Sequence, residues 1–369
     1  MHKRTYKYRL YPTKAQQSAL QKSLDACRWV YNQALAVRKD AWEQEQKAVS
    51  RYDTIKMLPV WKQEHGFLKN AYSQCLQETC TRVDLAFKAF FRRVKKGQKP
   101  GYPRFRGKER YDSFTYPQSG YVLLDKKRLR LPRIGALKIK LHRPMGGKVK
   151  NLTIRRDGVG NWYACFSCRV DRKPLPRIDT VVGVDVGLTS FATYSNGEKI
   201  DNPRFIRREE NELAKEQRRL SKADKGTPER AKRRKVVAHI HRRIANKRRD
   251  FAHKLSRQLV NNFGAIAFEK LDIQDMTDGN WRSMNKSISD VAWKQFVQFV
   301  AYKAEDAGRN FVQVDSHNTT KMCSCCGRLV EKDLSVRIHN CPFCGLVLDR
   351  DENAAINILR LGIQSLALA

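Results

Sequence analysis

Acidic residues are scarce in this chain, and that scarcity narrows its possible partners. Thirty-seven Asp and Glu stand against 74 Lys and Arg in 369 residues, a formal net charge of +37. A protein with that imbalance repels itself unless a polyanion neutralises it, and nucleic acid is the usual one. An anionic membrane surface is the rival partner, but the basic residues are spread over several segments and no single amphipathic helix dominates. Long apolar runs are missing too: no stretch reaches the roughly 18 residues a helix needs to cross a membrane. The first residues, MHKRTYKYRL, lack the apolar core of a secretory signal. The expected compartment is the reducing cytoplasm, where the ten cysteines serve as thiols or metal ligands rather than disulfides. Internal repeats and low-complexity tails are absent. A hydrophobic fraction of 41% fits a folded chain with two or three domains.

The patterning divides the chain. Thr5–Leu10 alternates like a strand, and Pro12-Thr13 opens a helical pattern to about Gln46, with Leu20, Leu24, Cys27, Val30/Tyr31 and Ala34/Leu35 at helical spacing. A second helix is predicted from about Ala71 to Lys96, with Leu76, Cys80, Val83, Phe87 and Phe90/Phe91 on one face and a stop at Gly97. Lys99–Pro117 reads as a loop in which basic residues alternate with Tyr102, Phe105, Tyr111, Phe114 and Tyr116. Such a segment suits phosphates and stacked bases, or else packs its rings on a neighbouring domain. Short strands follow from Tyr121 to Val170, then a linker at Arg172–Arg177.

Beyond the linker the pattern becomes an alternation of buried strands and helices. VVGVDVG and SFATYSNG are strands, helices run from about Arg204 to Ala223 and from Pro228 to about Asn262, and Gly264–Phe268 is a further strand. A helix over Ser289–Ala307, a strand over Asn310–Val314 and a last helix over Arg350–Leu361 complete the series. Arg230–Arg249 contains ten Lys and Arg and no acid, beside an apolar stripe that includes Ile240 and Ile244. A charge run is usually a solvated face, but one without acids in its own sequence favours a bound polyanion.

Two constellations carry chemistry. Cys323 and Cys326 form one C-x-x-C pair, Cys341 and Cys344 another, and Cys326 and Cys344 are each followed by glycine. Four thiolates at that spacing close a tetrahedral, structural zinc site, with Cys325 a spare thiol. Cys165 and Cys168 share the spacing but sit in a strand, where they face opposite sides. The second constellation is acidic. Asp185 interrupts an apolar strand, Glu269 ends another, and Asp351 lies where the last helix begins, with Asp349 and Asp272 as near alternatives. A buried carboxylate is costly without a cation. Singly, each has an ordinary explanation, such as a strand-end charge or a helix first-turn acid. Three acids converging at a sheet edge are what two magnesium ions require for in-line phosphodiester hydrolysis.

The order GVDVGLTSFATYSNG, AFEKL, two cysteine knuckles and DRDENAAINI resembles the RuvC-I, RuvC-II, zinc-finger and RuvC-III segments of the TnpB family. That family is encoded by insertion sequences and is ancestral to type V CRISPR effectors. RLYPTKAQ, FKAFFRRVKKGQKPGYPRFRGKERYDSFTYPQ and NWYACFSC extend the resemblance over nearly the whole chain, and the one visible departure is Cys325 in the first knuckle. The resemblance implies a multidomain α+β protein. A wedge β-barrel (1–10 and 98–176) would carry an inserted helical recognition domain (11–97). An RNase H-like RuvC nuclease domain (177–317 and 347–369) would carry an inserted zinc finger (318–346). It implies guide RNA and double-stranded DNA as partners, with cleavage of both strands next to a short flanking motif. It makes Asp185, Glu269 and Asp351 the catalytic acids, choosing Asp351 over Asp349 because it lies two residues before Asn353, and it places Arg337 near the scissile phosphate. Further expected nucleic-acid contacts are Arg104 and Arg106, then Arg233, Arg234, Arg242 and Arg248, and, for the flanking motif, Gln77 and Ser113 on groove-facing polar surface. A monomer is the expected state. An RNA-guided repressor that does not cut is the alternative; a transposase proper and a guide-free RNase H or junction resolvase explain less of the basic N-terminal half.

Overall fold

A computed structural model describes residues 2–172, 174–270, 282–315, 317–333 and 335–367, and the chain divides into two compact units, Met1–Asp171 and Arg172–Ala369.

The first unit begins with β1 (His2–Tyr11), whose Tyr6, Tyr8 and Leu10 alternate inward as a period of two requires. Thr13 then caps α1 (Lys14–Glu45): its hydroxyl accepts from the Gln16 N–H at 3.3 Å, and the Gln16 side chain accepts from the Thr13 N–H at 3.0 Å. The predicted stripe of α1 is buried from Leu20 to Leu35. Two short helices that the sequence did not reveal, α2 (Arg51–Lys56) and α3 (Leu58–Glu64), and a 3-10 turn (Gly66–Asn70) lead to α4 (Ser73–Lys95). Helix α4 ends where Gly97 takes a φ of 63°. It buries Leu76, Cys80, Val83 and Phe87, but Phe91, expected on the packed face, is exposed. Six further strands follow: β2 (Ser113–Tyr116), β3 (Val122–Leu123), β4 (Arg128–Leu131), β5 (Gly135–Lys140), β6 (Lys148–Arg156) and β7 (Trp162–Val170). With β1 they form an antiparallel sheet in the order β2-β6-β7-β1-β5-β4-β3. The tail of the expected loop is thus a strand, and Tyr111, Phe114 and Tyr116 are core residues; Tyr102 and Phe105 remain exposed. Cys168 is buried while Cys165 is only partly so, as opposite faces of β7 demand.

The second unit is built on a five-stranded sheet in the order β10-β9-β8-β11-β12. Strands β8 (Val181–Asp185), β9 (Ser190–Tyr194) and β10 (Lys199–Asp201) run antiparallel in sequence. Helices α5 (Phe205–Lys222) and α6 (Pro228–Asn262) follow, and β11 (Ala265–Glu269) then pairs parallel with β8. The helix predicted over 289–307 is two, α7 (Arg282–Val291) and α8 (Trp293–Ala307), because Ala292 turns left-handed at φ 54°. Strand β12 (Asn310–Val314) pairs parallel with β11. A two-stranded ribbon, β13 (Ile338–Asn340) and β14 (Val347–Asp349), leads into α9 (Arg350–Ala367), longer than predicted.

Strand periodicity sorts the two faces of this sheet. Val182, Val184, Ile266 and Phe268 point into the larger core with Leu255 and Leu259 of α6 and Phe296 and Val300 of α8. Gly183, Asp185, Ala267 and Glu269 therefore share the opposite face, where α9 packs: Ala267 and Val314 meet Ile358 there. The approach is close. A Cβ at Gly183 would lie 2.1 Å from the Ala355 carbonyl oxygen, and one at Gly362 would lie 2.5 Å from the Ala267 Cβ. Only glycine lets helix and sheet backbones meet at these two points.

Candidate functional site

Asp185 is the last residue of β8 and Glu269 the last of β11; the parallel register aligns Phe268 with Val184, which sets the two carboxylates side by side at one sheet edge. Asp351 enters from the first turn of α9. Asp185 is 8% exposed. Burial, then the neighbouring Glu269 and Asp351 carboxylates, push its pKa well above the ordinary range, against the opposing pull of Arg350 and the Val186 N–H. Burial pushes Glu269 up to about 7. The site therefore gathers negative charge in a poorly hydrated corner, which disfavours ionisation until a cation supplies compensating charge. Such a donor set, three hard carboxylates at one point, fits divalent magnesium.

Asp349 does different work. Its Oδ1 accepts from the N–H groups of Asp351 and Glu352 at 3.0 and 3.2 Å, capping α9, and its Oδ2 receives the Lys199 ammonium at 2.7 Å. Burial alone would raise this carboxyl, but the ammonium and the helix N–H groups outweigh it and hold it low. Arg350 turns its guanidinium onto Asp351 Oδ1 at 3.0–3.1 Å. Asp272 lies outside the described residues.

The cysteine site is assembled from two matching turns. The Cys323 N–H donates to the Arg328 carbonyl and the Gly327 N–H to the Cys323 carbonyl, each at 2.9 Å. The second knuckle repeats both bonds, from Cys341 to Leu346 and from Gly345 to Cys341, also at 2.9 Å. Gly327 and Gly345 take φ of 75° and 73°, the left-handed conformation for which glycine is needed. The four thiol sulfurs lie within 4.8 Å of one another, and the Cys323–Cys344 and Cys326–Cys341 separations are 3.6 Å. Zinc–sulfur bonds of about 2.3 Å in a tetrahedron require sulfurs about 3.8 Å apart, so the cluster could bind zinc with little adjustment. Cys325 is exposed and outside it.

The basic residues are deployed unevenly. The run in α6 does have balancing acids, most of them from other elements: Arg243 and Lys247 meet Glu209 of α5 at 3.0 and 2.7 Å, Arg248 meets the buried Asp290 of α7 at 2.6 Å, and Arg233 meets Glu216 of α5 at 3.6 Å and, within α6 itself, Glu229 at 2.6 Å. This corrects the expectation of an unbalanced face: Glu229 lies just before the run, and the other acids sit on α5 and α7, outside any local sequence window. Arg242 lies 3.0 Å from a His239 ring nitrogen, while Lys232, Arg234, Lys235 and Arg249 are exposed. Arg104 and Arg106 are exposed in the aromatic loop, which Asn32 fixes by two bonds to the Arg106 backbone. Gln77 is exposed on α4, and Ser113 is partly buried, its carbonyl receiving Arg82 at 2.7 Å. Arg337 is exposed, and its carbonyl accepts the Arg350 N–H at 2.8 Å, next in sequence to Asp351.

Sequence reasoning missed the residues that hold α9 in place. Asn353 and Asn357 are 0% and 1% exposed, and both bond the first knuckle. Two buried amides four residues apart in an otherwise apolar stripe were the available signal.

Comparison with known proteins agrees across the chain. The model of a family described as "Probable transposase" (OrfB IS605) matches residues 165–280, one described as "Cas12f1-like, TNB domain" matches 293–358, and one described as "Helix-turn-helix domain" matches 1–47. In that last stretch the structure has a strand and one long helix. A "Putative RNA-guided DNA endonuclease" of Streptomyces pristinaespiralis is 36% identical over 99% of this chain and 90% of the relative. InsQ of Escherichia coli K12, also a "Putative RNA-guided DNA endonuclease", is 29% identical over 98% of this chain and 93% of the relative. Among solved structures, the Cas12f1-sgRNA-target DNA complex matches with a TM-score of 0.59 at 15% identity, covering 94% of this chain and 83% of that one. At that identity the likeness establishes a shared mixed α/β fold. No helix among the described residues is long and apolar enough to cross a membrane.

Proposed function

The chain belongs to the TnpB family, and from that premise we propose that it is an RNA-guided endonuclease that cuts double-stranded DNA at the centre formed by Asp185, Glu269 and Asp351. The observation that carries the reading is the convergence of these acids on the α9 face of the sheet, where burial and the neighbouring carboxylates disfavour the ionised form that a bound cation would stabilise. When bound, two magnesium ions would supply an activated water and stabilise the departing 3′ oxygen. The chain's part is to hold the carboxylates rigid: two at the ends of hydrogen-bonded parallel strands, one in a capped helix turn. Arg337, exposed just before the ribbon that leads to Asp351, would meet a phosphate in this reading.

In this reading residues 177–317 and 347–369 are the RuvC domain and 318–346 a zinc finger inserted in it, its Cys323, Cys326, Cys341 and Cys344 holding one structural zinc. Residues 1–10 and 98–176 form the wedge domain, and 11–97 the helical recognition insertion. Guide RNA neutralises the basic surface and pairs with one DNA strand, the protein reads a short flanking duplex motif, and one acid centre cuts both strands in turn. Support comes from the +37 charge and from full-length similarity to proteins described as RNA-guided DNA endonucleases. The test is to sequence RNA that co-purifies with the protein, replace its guide segment, and ask whether cleavage moves to the newly matching DNA. Cleavage that ignores the guide segment would refute guidance while sparing the nuclease centre.

A further inference from the structure

Helix α9 is held from two sides. Asp351, Ala355 and Leu359 follow at i, i+4 and i+8, so they form one row along the helix. That row faces β8, since a Cβ at Gly183 would collide with the Ala355 carbonyl oxygen and the Leu359 N–H nitrogen. Asn353 lies two residues past Asp351, about 200° around the helix, on the opposite side.

On that opposite side the partner is the first cysteine knuckle. The Ser324 N–H donates to Asn353 Oδ1 at 2.8 Å, and Asn353 Nδ2 donates to the Met322 carbonyl at 2.8 Å. One turn on, Asn357 Nδ2 donates to the Thr319 carbonyl at 2.9 Å and the Met322 carbonyl at 2.7 Å. A further turn on, the Arg360 guanidinium donates to the Ser324 carbonyl. Met322 and Ser324 flank Cys323, so the peptide groups on both sides of a metal-ligand candidate are bonded to the helix that presents Asp351. Asn353, Asn357, Thr319 and Cys323 are all within 2% of complete burial and Ser324 is 8% exposed, so water does not compete for these bonds. A knuckle of this kind keeps one backbone conformation only while its thiolates are clamped.

We infer that Asn353 and Asn357 are positioning residues through which the clamped knuckle sets the rotation of α9 and thereby the aim of Asp351 into the acid centre. The zinc site is then a remote support of the hydrolytic centre as well as a fold staple. This rests on the nuclease reading for the role of Asp351, but the mechanical link is testable without any cleavage.

The first measurement is hydrogen exchange on the full-length protein with zinc present and after zinc removal by a thiol-reactive chelator. Amides of the first two turns of α9, Asp351–Ile358, should exchange at least tenfold faster without zinc, while those of β8 and β11 change little. Unchanged protection in α9 would overturn the inference, whatever the protein's activity. The second uses Asn353→Ala and Asn357→Ala. Each should keep about one zinc per chain and guided DNA binding, yet weaken Mn²⁺ binding at the acid centre, read by paramagnetic resonance, on the order of tenfold, the usual cost of removing an outer-shell orienting bond. Cleavage should fall in step and recover partly at raised Mn²⁺. Should wild type bind Mn²⁺ and cut while both variants match it, the positioning role is refuted. Should wild type itself neither bind Mn²⁺ nor cut, the nuclease reading fails, and the exchange result alone judges the link.

Discussion

Glu269→Gln should stabilise the magnesium-free protein while destroying the site. Burial holds the Glu269 carboxyl at about 7 in the fold against 4.5 in the unfolded chain. A raised carboxyl contributes its relative stability fully below the unfolded value, and that contribution is lost as pH rises through the folded one. At pH 8 the ionised side chain therefore costs the fold about 3 kcal/mol, and at pH 5 under about 1 kcal/mol. A glutamine has the same shape without the charge. For a unit spanning Arg172–Ala369, about 3 kcal/mol corresponds to a rise in melting temperature of about 5–10 °C. The assay is thermal unfolding in magnesium-free buffer with zinc retained, at pH 8 and pH 5. The gain should be large at pH 8 and small at pH 5, and added Mg²⁺ should raise the wild-type melting temperature but not the variant's. A variant that melts at or below wild type at pH 8, or gains equally at both pH values, would refute the claim that the acid cluster strains the metal-free fold.

Metal analysis should find about one zinc per chain; Cys341→Ser should lose it and melt earlier, whereas Cys325→Ser should keep it, and equal loss in both would show the ligand set is wrong. Asp349→Ala should lose the α9 cap at a cost of about 1 kcal/mol in unfolding yet keep substantial cleavage, unlike Asp351→Ala. Gly183→Ala must push α9 off the sheet, so stability should fall by about 1–3 kcal/mol and cleavage should collapse although no carboxylate is touched; near-wild-type activity would contradict the close approach. RNA affinity should fall steeply between low and moderate salt, because phosphate contacts release counterions, and a flat response would count against the basic surface as an RNA groove.

Much of this arrangement was legible in the sequence because local rules sufficed. Gly327 and Gly345 mark the knuckle turns, Pro12-Thr13 marks a helix start, and Asp185 in an apolar strand announces an uncompensated charge. The last helix was placed, but not what grips it: Asn353 and Asn357 act on partners 29 and 38 residues upstream, beyond any local period. The same limit hid the acids of α5 and α7 that pair with α6. Ala292, an ordinary helix former in the left-handed region, split a predicted helix without any glycine or proline to signal it. Phe114 and Tyr116 were read beside a nucleic-acid alternative because alternation of cations and rings looks the same in a binding loop and in an edge strand whose rings face the core.

The central claim is that the three acids are one metal-dependent nuclease centre, and guided cleavage with binding measured alongside tests it most directly. With its guide RNA, matching DNA and Mg²⁺, wild type should cut both strands and leave 5′ phosphate and 3′ hydroxyl ends, and EDTA should stop it. Asp185→Ala, Glu269→Ala and Asp351→Ala should each remove nearly all cleavage, non-additively, while guided DNA binding persists. Wild type that binds its guided target tightly and leaves it whole in both Mg²⁺ and Mn²⁺ would contradict the account and make the protein an RNA-guided repressor.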